Sequence, residues 1–213
     1  QWLRAQDPPC PWGEHPCLYA AENGHLEVLQ WMHAQEPPCP WDGDACVYAA
    51  KGGHLNILQW LRAQKPPCPW GMQTCSMAAQ YGHLEILQWV NTLDDGRWLL
   101  LNNEGVCTGA AGCGRLDILQ WARGIGVSWG TDACAIAAKY GRLAILQWLR
   151  AQEPPCPWDE DTCMLAALVG HLEILQWARA NGCPWDAHVV GGAEQYGHHE
   201  VLAWARANGC PEE

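Results

Sequence analysis

The sequence predicts an all-α solenoid of helix–turn–helix units, about seven of them in 213 residues. Three observations predict it. A Gly-His-Leu step recurs, with Arg for His in two copies and His for Leu in the last. Its second residue is His25, His54, His83, Arg115, Arg142, His171 and His198, at steps of 29, 29, 32, 27, 29 and 27 residues. Eight residues upstream stand Cys17, Cys46, Cys75, Cys107, Cys134, Cys163 and, in the last copy, Val190. Six residues downstream stand Trp31, Trp60, Trp89, Trp121, Trp148, Trp177 and Trp204. A fixed short period is the signature of a stacked array, where each unit leaves an apolar face for its neighbour to cover.

Each unit reads as two short helices. The first runs through segments such as TCMLAALV (Thr162–Val169) and stops at Gly24, Gly53, Gly82, Gly114, Gly141, Gly170 or Gly197. Gly at a helix C-terminus takes a positive φ without strain. The second helix follows, as in HLEILQWARA, where Leu172, Ile174, Leu175 and Ala178 mark an apolar stripe at helical spacing. It ends at Asn181-Gly182 or at a Pro pair (Pro37-Pro38, Pro66-Pro67, Pro154-Pro155). Pro cannot continue a helix and extends the residue before it. The loops carry a second Trp series: Trp12, Trp41, Trp70, Trp129, Trp158 and Trp185. With 15 Trp and no Phe, the short units rely on indole rings for buried area.

Composition narrows the function. The net charge of −11 argues against nucleic acid, whose phosphates need basic patches, and against anionic membrane surfaces. No apolar run is long enough to insert in a membrane. Thirteen Cys, an odd number spaced with the repeat, read as reduced buried thiols rather than a disulfide framework. That favours an intracellular reducing compartment, the cytoplasm first, with an organelle left open. The opening QWLRAQ repeats the inside of a unit, so the chain is expected to be an excerpt of a longer protein. The whole of 1–213 reads as one array. It has a truncated unit at 1–9, an irregular unit with an insertion at 90–105, and a polar C-terminal capping unit at 183–213.

The stretch TCMLAALVGHLEIL, Thr162–Leu175, followed by Asn181-Gly182, resembles the ankyrin repeat, and the resemblance extends over essentially the whole chain. It implies helix pairs stacked into a curved solenoid that binds other proteins on its concave face. The period is shorter than the family's, so the projecting hairpin loops are expected to be clipped to tight turns. Cys stands where the family's motif has Leu, and Leu18, Val47, Ser76, Thr108, Ala135 and Met164 stand where it has His.

Chemistry has little foothold. Cys10, Cys17 and His25 recur in register as Cys39, Cys46, His54 and as Cys68, Cys75, His83, but without CxxC spacing. Repeated near-identical Cys–His pairs are framework rather than a unique nucleophile and base. No catalytic motif is found in its required context. No enzyme activity, no metal and no cofactor are expected. The PPCPW stretch, Pro8–Trp12, reads as a connector with a buried Trp, and the recurring His as a donor or acceptor for nearby backbone.

Partner binding should sit where the copies differ. The two residues after Ala-Ala vary: Asn23, Lys51, Gln80, Tyr81, Lys139, Tyr140, Leu168, Val169, Gln195 and Tyr196 are the candidates on the concave face, with Trp98 in the insertion. Tyr is a favoured interface anchor. Glu14, Asp42, Gly43, Met72, Asp159, Glu160 and Asp186 should form an acidic rim beside them. Asp94-Asp95-Gly96 reads as a turn, followed by the apolar run Trp98–Leu101. The expected function is a non-catalytic scaffold for a protein partner. The alternatives are a permanent structural subunit bracing a large assembly and, more remotely, a metal- or redox-linked protein using the Cys series.

Overall fold

A computed structural model of the chain describes residues 15–212. The expectations on the leading unit 1–9, on Cys10 and the Pro8–Trp12 stretch, and on Glu14 lie outside the described residues. Fifteen helices and no strand occur among the described residues. Seven are first helices: α1 (Pro16–Glu22), α3 (Gly43–Gly52), α5 (Met72–Tyr81), α8 (Glu104–Cys113), α10 (Asp132–Lys139), α12 (Glu160–Leu168) and α14 (Ala187–Gln195). Seven are second helices: α2 (Leu26–His33), α4 (Leu55–Ala63), α6 (Leu84–Asn91), α9 (Leu116–Gly124), α11 (Leu143–Arg150), α13 (Leu172–Ala180) and α15 (His199–Ala207). The remaining helix, α7 (Asp94–Leu101), is the insertion. First helices stack on one another in order, and each second helix packs on its own first helix. This is the architecture that the repeat predicts.

The turn between the helices is the same in every unit. The recurring Gly has φ between +72° and +86° in all seven copies. The amide of the following His or Arg then reaches back to the carbonyl five residues earlier, as in His83 N to Ala78 O at 2.8 Å and Arg115 N to Ala110 O at 2.9 Å. This is the Schellman arrangement, which satisfies helix-end carbonyls that would otherwise lack partners. At the other end, the side chains of Asp42, Asn103 and Asp186 accept the amides of Asp44, Gly105 and His188 as N-caps. The core is built of Ala-Ala pairs, the upstream Cys and the Ile-Leu pairs of the second helices, all buried. Small residues on the first helices let neighbouring units approach closely.

Three kinds of registered contact recur between successive units. The first is the His or Arg after the Gly turn. His54, His83 and His198 place Nε2 3.0 to 3.1 Å from the carbonyls of Glu22, Lys51 and Leu168, at the end of the previous first helix. Arg142 does the same with Nε to Gly112 O at 3.1 Å, which explains why Arg replaces His there. The second is the loop Cys. Its thiol donates to the carbonyl of the previous loop: Cys68 to Asp42, Cys183 to Asp159 and Cys210 to Asp186, at 3.2 to 3.3 Å. The third joins the two Trp series. Loop Trp41, Trp70, Trp129, Trp158 and Trp185 meet helix Trp60, Trp89, Trp148, Trp177 and Trp204 of the following unit at centroid distances of 5.4 to 6.1 Å. Arg62, Arg123, Arg150 and Arg179 lie over the loop rings at 4.0 to 4.4 Å. The peptide bonds entering the three Pro pairs, Glu36-Pro37, Lys65-Pro66 and Glu153-Pro154, are cis.

The insertion departs from the sequence reading. Asp94-Asp95-Gly96 is the first turn of α7, not a loop turn. Two carboxylates suit a helix N-terminus, where the dipole is positive. Gly96 is required because a Cβ there would overlap the carbonyl of Val90. α7 packs on α6 and α5, while α5 and α8 remain direct neighbours in the stack. Gly109 of α8 makes that approach possible, since its Cβ position lies 3.1 Å from Gln80 N and Ser76 O. Asp95 anchors α7 by accepting from Arg62 at 2.7 Å and from Trp70 Nε1 at 3.0 Å.

Candidate functional site

The repeated Cys are the first group to weigh. All of those described are free, and every one except Cys113 is buried. Cys46 hydrogen-bonds the Cys68 thiol, which with burial holds its own proton far above the ordinary range, while the Cys46 thiol lowers Cys68. Cys163 and Cys183 repeat the arrangement. Burial alone pushes the Cys75 thiol up to about 12, and burial is the main cause of the same rise at Cys107. Cys46 pairs with Cys68 and Cys163 with Cys183, and Cys68 and Cys183 also donate to carbonyls. Among the described residues, no three His, Cys, Asp or Glu side chains gather as metal ligands would.

The variable positions lie at the C-terminal ends of the first helices. Tyr81, Tyr140 and Tyr196 are about half exposed, at 47%, 54% and 57%, and Val169 is exposed beside them. Asn23 is exposed, but its amide donates to Tyr19 O at 2.8 Å and caps α1. Lys51 is less available than its charge suggests. It pairs with Glu22 at 2.7 Å and lies 5.6 Å from the rings of Tyr48 and Tyr81. Lys139 sits half-buried near the Tyr140 ring. Gln195 is exposed and Leu168 half-buried on facing helices.

Three hollows open between first helices. One of about 290 Å³ lies between α3 and α5, bordered by Tyr48, Lys51, Gln80 and Tyr81. A second, of about 440 Å³, crosses α8 over Gly105, Gly109 and Gly112, with Ser76 and Gln80 on one side and Ile136 and Tyr140 on the other. A third, of about 350 Å³, lies between α12 and α14. The structure therefore brings Lys51, Gln80 and Tyr81 together, Gln80 with Tyr140, and Leu168 with Gln195. Trp98, 59% exposed, stands apart from these hollows on α7. Asp42, Asp159 and Asp186 are N-cap residues of first helices, with Gly43, Met72 and Glu160 next in line, so the rim follows one edge of the stack.

Sequence reasoning missed the residue before each Ala-Ala pair. Tyr19, Tyr48, Met77, Gly109, Ile136, Leu165 and Gly192 vary as much as the pair after it. Five of these, Tyr48, Met77, Gly109, Ile136 and Gly192, border the hollows. Helical spacing places that position on the same face as the residue four later, which was the available signal.

No protein-family model matches the sequence, and no curated protein matches it. Among solved structures the chain is similar to the human ASB11 ankyrin repeat domain, with 13% identity and a TM-score of 0.45 over 92% of this chain and 85% of that one. A likeness this distant carries no argument about function. No helix among the described residues is long and apolar enough to cross a membrane.

Proposed function

We propose that the chain is a non-catalytic scaffold that holds a partner protein on its first-helix face, the concave side in ankyrin-like geometry. One observation carries this reading. Tyr81, Tyr140 and Tyr196 occupy equivalent positions at the C-terminal ends of α5, α10 and α14 and keep about half their surface in solvent. The Trp residues of the repeat, by contrast, are mostly half-buried and stack on each other. Large exposed rings in a row, beside shallow hollows, suit a surface that another protein covers. The stack is rigid, so binding orders few groups and wastes little affinity.

The same reading takes 15–212 as part of one array capped at 183–213. In the last unit Arg206 has no loop Trp to cover and pairs instead with Glu194 and Glu212. Thiols that donate to carbonyls support a reducing compartment, with the cytoplasm as the proposed one.

A photo-crosslinking amino acid placed at Tyr140 tests the face. The control carries it at Ala144, which is exposed on α11. In native extract, a protein crosslinked from position 140 and not from 144, and lost when Tyr81 and Tyr196 become Ala, is the expected result. Crosslinking from 144 alone would move the site to the second helices and end this reading.

A further inference from the structure

The third hollow has a chemical character of its own. Its walls are the side chains of Met164 and Leu168 on α12, and its far side is the backbone of Gly191 and Gly192 on α14. Gly192 has a packing reason, because its Cβ position lies 3.4 Å from Leu168. Gly191 has none. It is exposed in the middle of α14, and a Cβ there would find no atom within 4 Å. A mid-helix Gly weakens the helix relative to Ala. The other Gly residues inside first helices are packed: Gly105 on Ser76, Gly109 on α5 backbone and Gly112 under Ile136. Gly191 instead keeps the hollow open.

The mouth of the hollow, toward the N-termini of α12 and α14, is flanked by carboxylates. Asp161 stands on the same face of α12 as Met164 and Leu168, one and two turns before them. Asp159 and Glu160 adjoin it, and Asp186 caps α14 opposite. No Lys or Arg pairs with Asp132, Asp159, Glu160 or Asp161 among the described residues. Crowding shows in the Asp161 carboxyl, which burial and then Asp159, Glu160, Asp132 and Asp186 push up. Asp186 Oδ2 lies 2.8 Å from Nδ1 of His188, which itself lines the hollow.

From the apolar hollow and its unpaired acidic mouth we infer that this groove takes a basic amphipathic segment of the partner protein. An aliphatic side chain of the segment fills the space over Gly191. A Lys or Arg one to two helical turns away, roughly 7 Å along α14, meets the carboxylates. The inference rests on the first-helix face being the binding face and adds the chemistry of its partner.

The test uses the chain as it is and two labelled synthetic helices of about four turns. One presents Leu on one face and Lys on the other, and the second has Glu in place of Lys. Fluorescence anisotropy reads binding to the parent chain, to Gly191→Leu, to the pair Glu160→Gln with Asp161→Asn, and to Ala144→Gln. Gly191→Leu fills the hollow without a steric clash at Cβ, and circular dichroism checks that helicity is kept in every variant. The Lys helix should bind saturably, with Kd at least tenfold weaker for Gly191→Leu. The double neutralised variant should be weakened similarly and depend less on salt, and Ala144→Gln, on the exposed side of α11, should bind unchanged. Equal binding by all variants, equal binding of the Glu helix, or no saturable binding overturns the inference. A partner crosslinked from position 140 whose binding ignores Gly191→Leu removes this groove and leaves the scaffold reading standing. Crosslinking only from 144, with the groove still selective for the Lys helix, does the reverse.

Discussion

Alkali should unfold this array from its core. Cys75 and Cys107 are fully buried, and their thiols are pushed up to about 12 from a value near 9. Below pH 9 the folded and unfolded chains both keep these protons. Above it the unfolded chain releases them and the folded chain does not, so stability falls with rising pH until the folded value near 12 is passed. The slope approaches about 1.4 kcal/mol per pH unit for each thiol, and by about pH 10.5 each has cost about 2 kcal/mol. The assay is urea unfolding followed by far-UV circular dichroism, under reductant, at about pH 8 and about pH 10.5. Cys75→Ala should be somewhat less stable than the parent at the lower pH, having lost a buried sulfur. It should then lose about 2 kcal/mol less on going to the higher pH, so the two stabilities converge or cross. Parallel losses in parent and variant would show that this thiol is not held protonated by its surroundings, and the reasoning would fail.

Other perturbations test the contacts between units. Trp129, the most buried of the loop rings described, sits against Trp148 and under Arg123; Trp129→Ala should cost about 3–5 kcal/mol in urea unfolding, while Arg123→Ala should cost about 1. His83→Ala removes the contact to Lys51 O and should cost about 1–2 kcal/mol, with His83→Arg restoring most of it, as Arg142 does in its own unit. Failure of the Arg variant to recover would break the equivalence drawn here between the two side chains. Gly82→Ala should lose more than about 1 kcal/mol, because φ is +86° and the new Cβ would overlap the Arg115 guanidinium. Gly191→Ala, with open space around it, should instead gain about 0.5–1 kcal/mol in thermal or urea unfolding.

Most of the fold was legible because its causes are local. The Gly turn, the Ala-Ala pair and the Ile-Leu pair each announce a conformation or a burial at a fixed offset, and the structure places them so. The partners of the Trp series were not legible. Pairing Trp70 with Trp89 depends on how loop and helix meet across a unit boundary, which spacing alone does not fix. The insertion was misread for a related reason. Asp-Asp-Gly favours a turn in isolation, but here Gly96 is chosen by the nearness of Val90 and Asp95 by Arg62 and Trp70, contacts from far along the chain or across a bend. At the candidate face, variability pointed to Tyr81, Tyr140 and Tyr196, and the structure leaves them exposed. It could not reveal that Lys51 spends its charge on Glu22, or that Gly191 faces empty space.

The position of α7 bears on how such a chain can change over generations. A whole helix has been spliced between α6 and α8, yet α5 still touches α8 as any first helix touches the next. Continuity runs through the first helices, so the path from a second helix to the following unit is free to lengthen without moving the units on either side. New elements can be grafted at those connectors while the count and order of units stay fixed. Duplication of a unit and extension of a connector are thus separate ways for the chain to vary, one setting its reach and the other decorating its flank.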